Sequence, residues 1–474
     1  MEIKAYTKHA HLQGSLIMIG FGSIGQAALP LILRHIEIRP ERITIISADE
    51  NGWDIAREFG ASFMLCVLTE ENYTAVLEPY LSKGDFLLNL SVDVSSVALI
   101  ELCWRRSALY LDTCIEPWSG GYTDTSISAS LRSNYALREQ ALSFGREMRE
   151  GPTAILGQGA NPGLASVFVK QALLDIATDT GFPVKKPASH GEWAALAFHL
   201  NVRAIHIAER DTQTSIHRKQ HNEFVNTWSV DGFVGEGLQP SELGWGSHER
   251  HLPAGSARHG FGCDAAIYLD RPGASTRVRS WAPLAGPYHG FLITHGESIS
   301  IADHLTLREN GNTIYRPTVH YAYHPCDDAV LSLHELAGRN WRLQANKRIL
   351  RDEITEGMDE LGVLLMGHAK GAYWYGSRLS IREARQLAPY NNATSLQVVA
   401  GVLAGMAWAL KNPAEGIIEP DDIDYEAALE VARPYLGEVV GVYSDWTPLS
   451  NREWLFNEDV DRDDPWQFKN VCVT

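Results

Sequence analysis

The stretch Leu16-Ile17-Met18-Ile19-Gly20-Phe21-Gly22-Ser23-Ile24-Gly25 carries four apolar residues into a Gly-x-Gly-x-x-Gly turn, after which the apolar positions fall at helical spacing. It reads as strand, phosphate-binding turn and helix. In this reading Gly20 makes the tight turn, Gly22 lets the backbone approach a pyrophosphate, and Gly25 lets the helix pack closely on the strand. The new helix directs its free N–H groups at the phosphates. After the helical Ala27 to Leu33, a second apolar strand, Ile43-Thr44-Ile45-Ile46, ends in Ser47-Ala48-Asp49. An acid at that tip accepts both ribose hydroxyls of NAD and repels the 2′-phosphate of NADP. Three glycines alone also occur in ordinary loops, and a Rossmann-like fold without a cofactor is the plain alternative. Strand before, helix after and acid at the next strand's tip together point to NAD.

Outward from this turn, Ala61 to Val67, Phe86 to Leu90, Leu109 to Asp112 and Thr153 to Leu156 read as further apolar strands, the last of them closing the sheet. Helical text lies at Asp54 to Phe59, Asn72 to Leu81 and Ser95 to Arg105. Strands alternating with helices predict an α/β fold with an N-terminal, doubly wound parallel Rossmann sheet over residues 1–160, residues 1–15 leading into it. Gly157 to Gly163 is a second turn-rich segment before a helix, Leu164 to Ile176. Beyond residue 180 the text is richer in Gly, Pro and His, with short runs at Val202 to Ile207, Ala265 to Leu269 and Gly290 to Ile293, and more strand-like text from Trp341 to Gly371. These predict a second, α+β substrate and dimerisation domain over 161–385 on an antiparallel or mixed sheet. Residues 386–474 are expected to form C-terminal helices and a tail packing back on the first domain. In the helix Ser395 to Leu410, Gly401 and Gly405 share one face for close packing, and the tail from Asp445 reads as a surface-wrapping extension or subunit contact.

At 474 residues and 45% hydrophobic content the chain is long enough for two or three cores, and its net charge of −17 argues against nucleic acid or anionic membrane as a partner. Six scattered cysteines without a C-x-x-C pair suggest no zinc site or disulfide framework. Met1-Glu2-Ile3-Lys4 lacks a signal pattern and the apolar Val398 to Leu410 is too short to span a bilayer, so a cytoplasmic protein is expected. His217/His221 and His320/His324 have helical metal-like spacing but lack the Glu of a zincin; surface histidines and no metal are expected. No G-x-S-x-G, P-loop or kinase signature occurs.

In a doubly wound sheet ligands sit beyond the carboxyl ends of the strands, which singles out Ser91, Asp93, Thr113, Glu116, Trp118 and Asn161. For Asp93, before Val94-Ser95-Ser96, a helix N-cap is the plain alternative. Pro117 and Trp118 fix and shield Glu116 as a binding carboxylate requires. In the second domain Glu209 and Asp211 alternate onto one strand face, where they hold an ammonium or exchange a proton, or else are an exposed strand end. Trp228 offers a face to a cation, unless it is core, and His295, at a strand end beside Gly296, is a proton-relay candidate.

The Gly20 to Gly25 turn, Leu90-Ser91-Val92-Asp93, Tyr110-Leu111-Asp112-Thr113 and Gly159-Ala160-Asn161-Pro162-Gly163-Leu164 occur in the order seen in saccharopine-dehydrogenase-like reductases. From about Ile17 to the C-terminal region the chain looks most like the bacterial homospermidine synthases among them. That resemblance implies a homodimer with NAD as a prosthetic hydride carrier. Putrescine or a related diamine would be oxidised at a C–N bond, its imine captured by a second putrescine with loss of ammonia, and the Schiff base reduced by the same hydride. Relatives acting on amino acids need an Arg clamp for each carboxylate, and Arg210, Arg218, Arg258, Arg277 and Arg279 are available. Such a reductase, or a non-catalytic NAD-sensing protein, therefore stays open at this stage.

Overall fold

A computed structural model describes residues 6–148 and 150–473. Met1 to Lys4, on which the signal-pattern reading rests, lie outside the described residues.

Among the described residues the first sheet has seven strands, all parallel, in the spatial order Ile417–Ile418, Ala154–Ile155, Leu109–Asp112, Phe86–Asn89, Leu16–Ile19, Ile43–Ser47, Ser62–Leu65. Its central strands are buried throughout, as expected where helices cover both faces. Chain order reverses between Leu16–Ile19 and Phe86–Asn89, so a crevice opens there at the carboxyl edge. The six strands read from the sequence are all present, but Ala154–Ile155 is not the outermost. Ile417–Ile418, too short and too distant in the chain to be read as a sheet member, pairs beside it. Residues before the first strand are not merely a leader, since Ala10–His11 pairs with Ile36–Glu37.

The second sheet is mixed and has eleven strands among the described residues. At its centre Ala204–Asp211 runs parallel to Thr318–His324 and antiparallel to Met358–His368, which continues through a hairpin into Gly371–Ser380. The stretch 386–474 is shared between the sheets: Ile417–Ile418 joins the first, whereas Glu438–Ser444 and Cys472–Val473 join the second. The tail thus returns into the fold, with Gln467 and Asn470 buried, while Trp454, Leu455 and Phe456 are exposed.

The helix Ala393–Lys411 lies between the two sheets and packs on the helix Ser23–His35. A Cβ on Gly401 would strike the Gly159 carbonyl, and one on Gly405 the Gln158 side chain, so these two positions let the helix approach the 157–163 turn. At 19 residues it is longer than the apolar run read from the sequence and long enough to span a membrane, which corrects that reading; 83% of its apolar window is buried inside the protein. A second correction concerns His320 and His324. They lie on a strand, not a helix, and His320 is fully buried, its ring tilted against that of His206 with centroids 4.0 Å apart. His217 and His221 are exposed loop residues.

Candidate active site

The crevice at the strand-order reversal is a cleft of about 1110 Å³, closed on one side by the first sheet's carboxyl edge and on the other by the Trp228–Gly232 and Lys347–Arg351 segments of the second domain. The glycine turn is part of its lining. Gly20 has φ +85°, and a Cβ there would lie 2.7 Å from the Leu90 carbonyl oxygen, so neither the turn nor the close strand contact admits another residue. A Cβ on Gly25 would sit 2.8 Å from the Gly20 oxygen. One on Gly22 would meet nothing within 4 Å, because that face opens into the cleft. The helix Ser23–His35 begins here, and the buried Ser23 Oγ has no partner among the described residues. An open backbone approach, free helix N–H groups and an orphaned hydroxyl are the donor set a dinucleotide pyrophosphate requires. Phe21 and Ile24 line the same turn, and Asp49 stands exposed on the rim, its Oδ1 accepting the Asn51 N–H at 2.8 Å. Ser91 and Thr113 line the floor, Ser91 Oγ donating to Asn89 Oδ1 at 2.6 Å.

Another part of the lining is acidic. Glu116 is anchored by its backbone to the start of the helix Ser96–Arg106: its N–H donates to Ser96 Oγ at 3.0 Å, and the Ser96 N–H donates back to its carbonyl at 2.8 Å. Burial, and then the carboxylates of Glu236 and Asp93, hold its carboxyl well above the usual range, against the Asp93 N–H that favours the ionised form. Asp93 shares this part of the lining with φ +63°; Ser95, not Asp93, caps the helix by accepting the Ala98 N–H, which corrects the N-cap alternative. Trp118 and Trp228 complete the wall, Trp118 packed on Tyr73 and the Trp228 indole N–H donating to the Tyr323 hydroxyl at 3.2 Å.

Glu236 was not singled out in the sequence. It sits in the short helix Val230–Leu238, where an acid between Gly235 and Gly237 interrupts an otherwise apolar face, and that interruption was the available signal. Behind it, outside the cleft surface, lie the other candidates. His295 Nε2 is 3.2 Å from Glu236 Oε2, within ion-pair range though not aligned as a hydrogen bond. His295 stands at the N-cap position of the helix Gly296–His304, without a side-chain capping bond, and stacks on Tyr321 at 4.5 Å. The Tyr321 hydroxyl and Asn161 Nδ2 both donate to Glu209 Oε2, at 2.5 and 2.6 Å. Burial raises Glu209 to about 8 and Asp211 to about 6, so neither is the exposed strand end the sequence left open. Asp211 accepts from the Thr227 hydroxyl at 2.9 Å and so braces the loop carrying Trp228, one residue on.

None of Arg210, Arg218, Arg258, Arg277 and Arg279 lines the cleft. Arg210, Arg218, Arg258 and Arg279 pair with Asp327, Asp328, Asp264 and Glu458, and Arg277 donates to His334. The cleft's own Arg348 is held by Glu223 and Glu353, and Arg351 by Gln26 beside the glycine turn.

A dinucleotide-type sheet, a second mixed sheet over its carboxyl edge and an acidic cleft between them define a protein of the saccharopine dehydrogenase class. Accordingly, residues 16–155 match the saccharopine dehydrogenase NADP binding domain and residues 159–443 the saccharopine dehydrogenase C-terminal domain. Within that class, the chain is 54% identical to the homospermidine synthase of Blastochloris viridis (98% of each chain) and 50% identical to that of Mesorhizobium japonicum (98% of this chain, 97% of the relative). The crystal structure of the Legionella pneumophila homospermidine synthase in complex with NAD superposes with a TM-score of 0.91 at 48% identity, over 98% of both chains. The chain belongs to the homospermidine synthase family.

Proposed function

We propose that the protein condenses two putrescine molecules into sym-homospermidine with release of ammonia, using NAD as a catalytic hydride carrier. The observation that carries this reading is the pairing of a dinucleotide turn with Glu116, Glu236 and Asp93 in one cleft whose arginines, Arg348 and Arg351, are engaged by Glu223, Glu353 and Gln26. Such a site attracts ammonium groups and offers no clamp for a substrate carboxylate, which favours a diamine over an amino acid. The NAD-complexed Legionella relative and the open Gly22 face support the cofactor.

When bound, NAD supplies acceptance of a hydride from a C–N carbon and its return to the new C=N carbon. The chain's own groups do the rest. Gly20, Gly22, Gly25 and Ser23 seat the pyrophosphate, with Phe21 and Ile24 shaping the turn, Asp49 holding the adenosine ribose and Ser91 and Thr113 bordering the nicotinamide end. Glu116 and Glu236 receive the reacting carbon's amine as an ammonium and take its proton, since only the neutral amine releases hydride, and then hold the iminium that results; Asp93 and Trp118 border the remainder of the diamine, and Trp228 presents its face to the cationic imine. His295 takes and returns the proton through Glu236 as the attacking amine loses one and the departing ammonia gains one. Glu209, held by Tyr321 and Asn161, and Asp211 lie behind as a buried acid pair that fixes this wall. The second sheet covers the cleft and keeps water from the imine. The cytoplasmic homodimer expected from the sequence belongs to the same proposal.

The test uses putrescine deuterated on both carbinamine carbons with substoichiometric NAD. One ammonia per homospermidine, full retention of deuterium in the product and no accumulating NADH are expected. Stoichiometric NADH with aldehyde as the main product would make the protein a simple amine dehydrogenase, and no turnover with intact NAD binding would make it a sensor.

A further inference from the structure

Away from the cleft, three side chains from distant parts of the chain converge at the surface. His190 opens the helix His190–His199, His304 closes the helix Gly296–His304, and Asp422 ends the turn Pro420–Asp422. One donor atom from each lies within 4.8 Å of the other two. His190 Nε2 is 2.6 Å from Asp422 Oδ1, and the two imidazole rings lie with centroids 4.0 Å apart. An ion pair of His190 with Asp422 accounts for those two groups but not for the third. His304 is only 6% exposed, and among the described residues neither of its ring nitrogens has a hydrogen-bond partner, a costly arrangement for a buried imidazole unless something else completes it.

We propose that His190, His304 and Asp422 form a binding site for a divalent transition metal of the zinc class. Two imidazoles and one carboxylate are a borderline donor set that favours such a metal over magnesium or calcium, which take oxygen ligands. Ligands at about 2.0–2.1 Å in tetrahedral geometry stand roughly 3.3 Å apart. The His190 ring, whose side chain is 63% exposed, has the freedom to open its contact with Asp422 to that spacing and to turn towards His304. Its exposure also gives the metal an entry path and leaves a fourth position to water. The Asp422 Oδ2 already accepts the Glu419 N–H at 3.1 Å, which orients the carboxylate from outside. The nearby Lys170 ammonium is engaged by the carbonyl oxygens of Asp421 and Ile423, so it does not compete for the carboxylate. A metal here joins two helices of the second domain to the turn that follows Ile417–Ile418, the edge strand of the first sheet. It acts as a clip between the two parts of the fold, separate from the proposed chemistry in the cleft.

The test takes the full chain, stripped with chelator, and titrates zinc against a chromophoric competitor, with magnesium as the control ion. A single zinc per chain, no magnesium binding and a melting temperature raised by zinc are expected. His190→Ala, His304→Ala and Asp422→Asn each weaken zinc binding by about 10-fold or more and abolish the thermal shift. His190→Ala removes an exposed ring and keeps the test valid even if His304→Ala fails to fold. The His217→Ala/His221→Ala double variant, on an exposed loop, retains binding. Absence of stoichiometric zinc in the parent, undiminished binding in His190→Ala, or loss of binding in the loop variant would overturn the proposal.

Discussion

Replacing Glu116 by Gln keeps the side chain's shape and removes its charge, and the site's geometry makes the consequences separable. An ammonium bound to a buried carboxylate gains a charge-assisted hydrogen bond of about 1.5–3 kcal/mol, so kcat/KM for putrescine should fall about 10- to 150-fold. Glu236 and Asp93 still face the ammonium and place the result in the lower half of that range. NAD affinity should not change, because Glu116 is not among the groups proposed to seat the pyrophosphate or the adenosine ribose. The pH dependence follows from the raised carboxyl. As pH rises through that value Glu116 ionises and the parent binds diamine more tightly; Gln flattens this rise. Stability moves the other way. The folded state binds a proton that the unfolded state has already released, so the parent loses stability as pH rises from the ordinary carboxylate range through the raised value. The variant should therefore melt no lower than the parent at neutral pH. Ammonia release against putrescine concentration at several pH values, NAD titration by fluorescence and thermal melting read all three. Parent-like kcat/KM with an unchanged pH profile, or a melting temperature below the parent's, would refute the assignment.

Other substitutions probe the rest of the cleft. Asp49→Ala should narrow the preference for NAD over NADP, measured as the ratio of dissociation constants, by removing the charge that repels a 2′-phosphate; equal affinities in the parent would sink that role. Gly22→Ala adds a methyl into open space and should melt like the parent yet bind NAD poorly, and normal NAD binding would place the pyrophosphate elsewhere. Trp228→Ala should cost on the order of 2 kcal/mol in kcat/KM and Trp228→Phe less, whereas a parallel collapse in melting temperature would make Trp228 a packing residue. Gly401→Ala sets a methyl against the Gly159 carbonyl and should destabilise by about 1–3 kcal/mol, seen as an earlier denaturant midpoint; an unchanged midpoint would mean the helix yields freely.

The first sheet was legible because its signals are local. Each buried parallel strand is a continuous apolar run, and the turn at Gly20 must be glycine for reasons that act within ten residues. The candidate acids after strand ends were legible for the same reason: a strand's carboxyl end is marked in the chain. What lay between distant segments was not. Ile417–Ile418 becomes an edge strand only when a helix returns it beside Ala154–Ile155, and the pairing energy resides in that long-range contact. Glu236 becomes part of the acidic lining only when its helix faces Glu116, more than a hundred residues earlier. Glu209 and Asp211, alternating on one strand as the sequence dictates, were assigned to a wall of the fold by the sheet that buried them. The sequence by itself determined the cofactor-type turn and the supply of carboxylates. Only tertiary packing decided which carboxylates share one low-dielectric space.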